Sequence, residues 1–229
     1  MIENAPILKI RRNFERPTPE QVAAFAGVPT GHVIDAMGGS GALHERIKPI
    51  ARPERSMVGV AVTFHAGPSD NLALFGALDV ARPGDVLVAA SDGFTAAGIT
   101  GDLLVGMAKN IGVAGLVTDS AIRDLAGILA VGLPVYCAGL TPNSPARNGP
   151  GTVGLPVVLG GVRVESGDIV VGDADGVVIV PRGRIPEVLT ALERVRAAEA
   201  ELEAKVKAGL KIPDFIREIL DSDRVVEVP

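Results

Sequence analysis

The chain has 229 residues and a net charge of −5, with 47% hydrophobic and 21% charged residues, a globular balance with enough apolar mass for a sizeable core. Aromatics make up only 3%, with one tyrosine and no tryptophan, which excludes the base-stacking platforms of nucleic-acid binders and leaves Val, Leu, Ile and Ala to build the core. There is no apolar run of about 18 residues to span a membrane, and MIENAPILKIRRNFERP at the N-terminus lacks the apolar centre of a secretory signal.

Residues 1–18 read as an arm. Thr18 caps a short helix that opens with Pro19 and Glu20 and ends at Gly27. A second short helix runs from Thr30 to about Met37 and stops at Gly38-Gly39. MVGVAVTFHA (57–66) is β-rich and bounded by turn residues, so it reads as a strand. A helix over Asp70–Leu78 follows, then the turn Arg82-Pro83-Gly84-Asp85 into the strand VLVAA. A helix over Thr100–Asn110, the strand AGLVT, a helix near 121–130 and the strand PVYCA complete the series. This alternation over 57–139 predicts an α/β sheet with helical cover. Residues 155–181 hold short β-rich runs separated by Gly-Gly, Ser-Gly-Asp and Asp-Ala-Asp-Gly, which predict a β-meander or small β-layer.

The last predicted element is a long, charged, Ala-rich helix from about Ile185 to Ala208, ended at Gly209. Its narrow apolar stripe (Leu189, Leu192, Ala197, Ala200, Ala204) suits a partner surface better than a deep core. The expected organisation is an arm (1–18), an α/β domain (19–183) and a C-terminal helical extension (184–229).

Two segments carry candidate chemistry. In AAGITGDLLVGMAKNIG (96–112), Gly101 leads into a helix whose first turn holds Asp102, Leu103 and Leu104. A helix N-terminus presents unpaired N–H groups and partial positive charge, so the amides near Leu103 and Leu104 can grip a carboxylate. The alternative is that Asp102 simply stabilises the helix start. In LVTDSAIRDLAGI (116–128), Asp119, Arg123 and Asp124 follow an apolar strand, where α/β proteins place ligands. Arg123 offers a planar fork for a carboxylate. Asp124 offers a hard oxygen for Mg2+ or Mn2+. An exposed salt bridge at a helix start is the alternative.

Other groups carry less. Cys137, the single cysteine, cannot form an internal disulfide, which fits a reducing, cytoplasmic setting; within LPVYCAG it reads as buried filler. His32 and Asp35 lie on one helix face and read as structural. His44 and His65 have no ligand-spaced partners, so zinc is not expected. Asp173, Asp175 and Gly176 read as a hairpin turn, not a calcium loop. LGGV does not form GxGxxG. Glu15-Arg16 and Glu54-Arg55 read as solvated surface charges.

The phrases GDLLVGMAKNIGVAGLVTDSAIRD, PGDVLV and GGVRVESGDIVVGDADGVVIVP resemble the RraA-like family. That group includes metal-dependent class II 4-hydroxy-4-methyl-2-oxoglutarate / 4-carboxy-4-hydroxy-2-oxoadipate aldolases and inhibitors of ribonuclease E. The resemblance spans roughly residues 20–210. It implies a swivelling ββα sandwich, assembled as a homotrimer or a hexamer with active sites between subunits. It further implies that Arg123 binds the pyruvyl part of a small 2-oxo acid and that Asp124 ligates Mg2+ or Mn2+. Gly101, Leu103 and Leu104 would receive the substrate carboxylate, with Asp102 beside the metal waters and Asn71 as a substrate contact. Glu199 resembles a glutamate contributed by the neighbouring subunit. Asp119-Ser120 departs from the Asp-Gly of many members. The implied activity is a lyase releasing pyruvate, with oxaloacetate decarboxylation as a related reaction; the alternative is a non-catalytic regulator of a ribonuclease. No nucleic-acid or membrane partner is expected.

Overall fold

The computed structural model describes residues 6–51 and 56–228; the Glu54-Arg55 pair lies outside the described residues. The strands are β1 (Leu8–Ile10), β2 (Lys48–Pro49), β3 (Met57–Ala66), β4 (Asp85–Ala90), β5 (Gly115–Thr118), β6 (Ala121–Ile122) and β7 (Val135–Cys137). They continue with β8 (Gly139–Leu140), β9 (Gly151–Val153), β10 (Val157–Leu159), β11 (Val162–Val164), β12 (Ile169–Gly172) and β13 (Val177–Val180). The helices are α1 (Pro19–Ala23), α2 (Thr30–Ala36), α3 (Leu72–Val80), α4 (Asp102–Ile111), α5 (Leu125–Val131), α6 (Ile185–Lys207) and α7 (Asp214–Leu220).

The expected alternation is present. β3, β4, β5 and β7 are parallel neighbours in chain order, joined through α3, α4 and α5. β4 is buried on both faces, as a central parallel strand must be. Its Leu87 and Ala89 pack with Leu74, Val105 and Ile128 on the helical side. Val86, Val88 and Ala90 pack on the other side with Leu159, Val164, Val170 and Ile179. The second face is therefore covered by β-structure, which gives the ββα sandwich. Residues 155–181 form two hairpins rather than one meander: β10–β11 stands as a separate two-stranded sheet, while β12–β13 joins the main one.

β3 is the organising strand. One edge pairs with β4 along Val60–His65. On the other edge, β12 pairs with Met57–Val60 and β9 with Phe64–Ala66. Outside the β12–β13 hairpin, Ile169, Val171, Val178 and Val180 pack with the turn after α1, with α2 and with the start of α6 through Phe25, Val33 and Val188.

Local chemistry explains several ends. Thr18 and Gln21 form a reciprocal capping box at α1. Asp173 accepts from the amide and hydroxyl of Thr30, both at 2.8 Å, and so ties the β12–β13 turn to the start of α2.

Two expectations need correction. The N-terminal arm is not irregular throughout, because β1 pairs in parallel with β9. Arg16 is not a solvated surface charge: it forms a two-pronged pair with Asp85, at 2.6 and 2.9 Å, and Asp85 is 1% exposed. The buried carboxylate at the start of β4 needs that partner. The long helix divides in two. Ile185, Val188 and Leu192 are buried, whereas Leu202 and Val206 are exposed. Among the described residues no helix is long and apolar enough to cross a membrane.

Candidate functional site

The loops leaving β4 and β5 do not diverge. They zip together into a ledge beyond the strand ends. The Ile99 amide donates to the Ala121 carbonyl at 2.9 Å, and the Arg123 amide donates to the Thr100 carbonyl at 3.0 Å. β6 pairs in parallel with β8 beside them. The ledge needs close approach: a Cβ on Gly98 would lie 3.2 Å from the Arg123 amide nitrogen. It delivers Gly101 against the Arg123-Asp124 pair.

At that point a small cleft of about 90 Å³ opens, lined by Asn71, Thr100, Gly101, Asp102, Leu103, Leu104, Arg123, Asp124, Ser144, Pro145 and Arg147. The Arg123 Nε donates to Asp124 Oδ2 at 2.9 Å, and its Nη1 donates to the Ser144 hydroxyl. Asp124 stands at the N-cap of α5 with φ of 58°, yet its carboxylate caps no amide of that helix. The side chain, 39% exposed, is left facing the cleft. A left-handed non-glycine residue is strained, and such strain concentrates at functional sites.

Two glycines make the space. A Cβ on Gly101 would sit 2.5 Å from Asp124 Oδ2, and one on Gly127 would sit 2.4 Å from Asp102 Oδ2. Gly101 has extended backbone, with φ of −138°, so close approach rather than conformation is what a side chain would spoil there. Asp102 accepts from its neighbour, the Leu103 amide, at 2.8 Å. The Leu104 amide has no acceptor among the described residues. Asn71 is 2% exposed, and its buried Oδ1 has no hydrogen-bond donor among the described residues.

Seven of the eight expected site residues thus meet in one cleft. Glu199 does not: it lies on the exposed C-terminal half of α6. The Leu103 amide is engaged by Asp102, so of the two amides Leu104 is the free donor. Ser144 and Arg147, which sequence reasoning missed, come from the loop before β9. That loop carries no motif. Its only signal is the turn-rich string TPNSPARNGPG.

A second hollow, of about 720 Å³, lies near His44, Arg46, Asp92, Asp119 and Leu140. Its most buried carboxylate is already occupied. Asp119 accepts from the Ser91 amide at 2.8 Å and the Gly93 amide at 3.0 Å. Burial raises the Asp119 carboxyl above its ordinary 3.8, partly offset by those two amides. Cys137 is buried, which raises its thiol, and the Sγ donates to the Gly139 carbonyl.

Among the described residues no three His, Cys, Asp or Glu side chains gather as a metal cage. The cleft instead offers one accessible carboxylate, Asp124, with Asp102 also lining it. Such an all-oxygen set fits a hydrated Mg2+ or Mn2+, which keeps most of its waters.

The model of the RraA-like family, described as Aldolase/RraA, matches residues 30–179. A Halalkalibacterium halodurans protein provisionally named 4-hydroxy-4-methyl-2-oxoglutarate aldolase is 37% identical over 187 residues, covering 82% of this chain and 87% of that one. An uncharacterized Pseudomonas syringae protein superposes with a TM-score of 0.76 at 25% identity, covering 87% of this chain and 93% of that one. Streptomyces coelicolor RraAS2, described as an unusual member of the RNase ES inhibitor RraA protein family, has a TM-score of 0.72 at 29% identity, covering 83% of this chain and 100% of that one. The zipped β4 and β5 loops with their Gly101 and Arg123-Asp124 contact lie inside the matched span, and the chain belongs to the RraA-like family.

Proposed function

We propose that the protein is a divalent-metal-dependent lyase that cleaves a short 2-oxo acid to pyruvate, as 4-hydroxy-4-methyl-2-oxoglutarate aldolases do, with oxaloacetate decarboxylation as a related activity. The observation that carries the reading is the meeting of an uncapped carboxylate, an arginine fork and a free helix-start amide in one cleft. The name of the Halalkalibacterium relative supports the same class.

Both reactions break the bond between C3 and C4, and the electron pair passes into a pyruvate enolate that is then protonated at C3. Asp124 would hold the Mg2+ or Mn2+, which when bound supplies Lewis-acid stabilisation of the charge developing on the 2-oxo oxygen. The Leu104 amide, at the positive end of α4, receives the substrate's C1 carboxylate. Arg123, braced by Ser144, adds a second positive group against the 2-oxo acid. Asp102 takes up, through water, the proton released by the distal hydroxyl in the aldol case. No Schiff base is invoked, since Lys109 donates its ammonium to the Val131 carbonyl at the end of α5.

Glu199 enters this scheme only from a second copy, in a homotrimer or a hexamer of two trimers. Mixing Arg123→Ala with Glu199→Ala subunits is then expected to restore activity that each variant lacks. A fully active single-chain species in light scattering would overturn the shared site.

The direct test is pyruvate release from a panel of 2-oxo acids with Mg2+ or Mn2+. The reading expects cation-dependent release from oxaloacetate or 4-hydroxy-4-methyl-2-oxoglutarate, abolished by chelation. No release from any member of the panel would overturn it. The Streptomyces neighbour's description favours a second reading, a non-catalytic regulator of a ribonuclease. Inhibition of a ribonuclease E-type enzyme that survives in Asp124→Asn would support that one.

A further inference from the structure

The lyase reading gives work to two carboxylates, Asp124 as the metal ligand and Asp102 as a proton acceptor through water, and leaves open what holds them in register. We propose that Gly127 is a positioning residue: its bare Cα is the seat of the Asp102 side chain, and α5 thereby fixes the spacing of the two acids. This rests on the metal-dependent reading above.

Nothing in its backbone requires residue 127 to be glycine. It lies inside α5, and its φ is not in the left-handed region. A glycine within a helix weakens that helix relative to alanine. Its reason lies across the contact between α4 and α5. A Cβ on Gly127 would fall 2.4 Å from Asp102 Oδ2, 2.6 Å from Asp102 Cβ and 2.8 Å from Asp102 Cγ. The space that a side chain at 127 would fill is therefore taken by Asp102, which reaches over from the first turn of α4. Gly106, within α4, has no such neighbour: a Cβ there would meet only Val131 Cγ2, at 4.0 Å.

The consequence is geometric. Asp124 is the N-cap of α5 and Gly127 stands three residues on, and residues three apart on a helix are neighbours. Both acids of the cleft thus meet within the first turn of α5, although one of them belongs to α4. Asp102 Oδ1 accepts from the Leu103 amide, while Oδ2 has no hydrogen bond among the described residues and rests against α5. Rotating Asp102 could not make room for an alanine at 127, because its Cβ is fixed by the backbone of α4 and is itself in the way. The start of α4, which carries Asp102 and the Leu104 amide, would have to move off α5. Groups that orient the waters of a bound metal tune its affinity, and losing one costs about 10–100-fold.

Calorimetry of Mn2+ binding reads the spacing without any substrate. Gly127→Ala is expected to weaken Mn2+ by about 10–100-fold, and Gly106→Ala, the matched change in α4, to leave the affinity unchanged. Because Gly127→Ala also disturbs the helix contact, a relocated carboxylate decides the cause. Asp102→Gly should weaken Mn2+ by a similar factor. The double variant Asp102→Gly/Gly127→Asp, which returns a carboxylate to the same space from α5, should recover most of that loss, and Asp102→Gly/Gly127→Asn should not. A glycine that merely eases helix packing gives no such rescue, and the two double variants decide the matter even if Gly127→Ala fails to fold. Parent-like Mn2+ affinity in Gly127→Ala, or a relocated carboxylate that recovers no more than the asparagine, would each overturn the proposal. Absence of pyruvate from the whole panel while the Mn2+ pattern holds would count against the lyase reading alone; no Mn2+ binding by the parent would overturn both.

Discussion

Asp119 and Asp124 stand five residues apart in one loop, and they face opposite fates. Asp119 lies beside the larger hollow with both oxygens held by amides of the β4 loop. Asp124 lines the smaller cleft and, among the described residues, caps nothing and pairs only with its neighbour Arg123. Volume alone would point to the larger hollow instead. What separates the two is satisfaction: a half-buried carboxylate that already accepts two amides organises the loop, whereas a more exposed one without such bonds has capacity for a ligand.

The sharpest way to break this comparison is to neutralise each aspartate in turn. Asp124→Asn is expected to lower cation-dependent activity more than about 100-fold, beyond what losing a supporting residue costs, with little change in melting. Calorimetry of Mg2+ or Mn2+ binding checks the cause; equal affinity in the variant would remove Asp124 as the ligand. Asp119→Asn is expected to do the reverse. One of its two amide partners would face an amide donor, costing about 1–3 kcal/mol of stability in a denaturant titration.

Next in size is Arg123→Lys, which keeps the charge but loses the fork. Its kcat/KM is expected to fall by about 1.5–3 kcal/mol in activation free energy; parent-like activity towards oxaloacetate would remove the role. Gly101→Ala tests the spacing alone. Its backbone angles suit alanine, but the methyl would meet Asp124 Oδ2. Shifting that carboxylate should cost about 1–3 kcal/mol, read as weakened metal binding with the fold intact.

The smallest expected effect is a pH dependence. Burial raises the folded-state carboxyls of Asp119 and Asp168 above 3.8. The folded protein then holds those protons more tightly than the unfolded chain. Their contribution is full below about pH 3.8 and is lost as pH rises through the raised folded values. In Asp119→Asn the Asp119 part of this slope should vanish, as stability measured between pH 3.5 and 7 by about half-unit steps would show.

Local signals in the sequence marked elements well. The capping box at Thr18, the apolar runs of β3 to β5 and the turn at Asp173–Gly176 all act within a few residues. The site segments were legible for the same reason, since Gly101 and Arg123-Asp124 sit at a helix start and beyond a strand end. What escaped depends on approach across the fold. Arg16 reaches Asp85 over 69 positions, and Arg147 reaches the cleft only because Asp70 fastens its loop. The parallel pairing of β1 with β9 has no local mark either, because a three-residue strand is too short to show a period.

The three-way sharing of β3 has a consequence for how the chain comes off the ribosome. Residues 57–137 can assemble their parallel strands and helical cover early. The partner of Met57–Val60 is β12, more than a hundred residues later. Until that hairpin emerges, the first half of β3 presents a bare strand edge, and Val86, Val88 and Val117 lack the β-layer that buries them. A nascent or truncated chain ending before Ile169 would therefore expose a sticky, edge-bearing sheet, the kind of surface that chaperones hold and that aggregates when they do not.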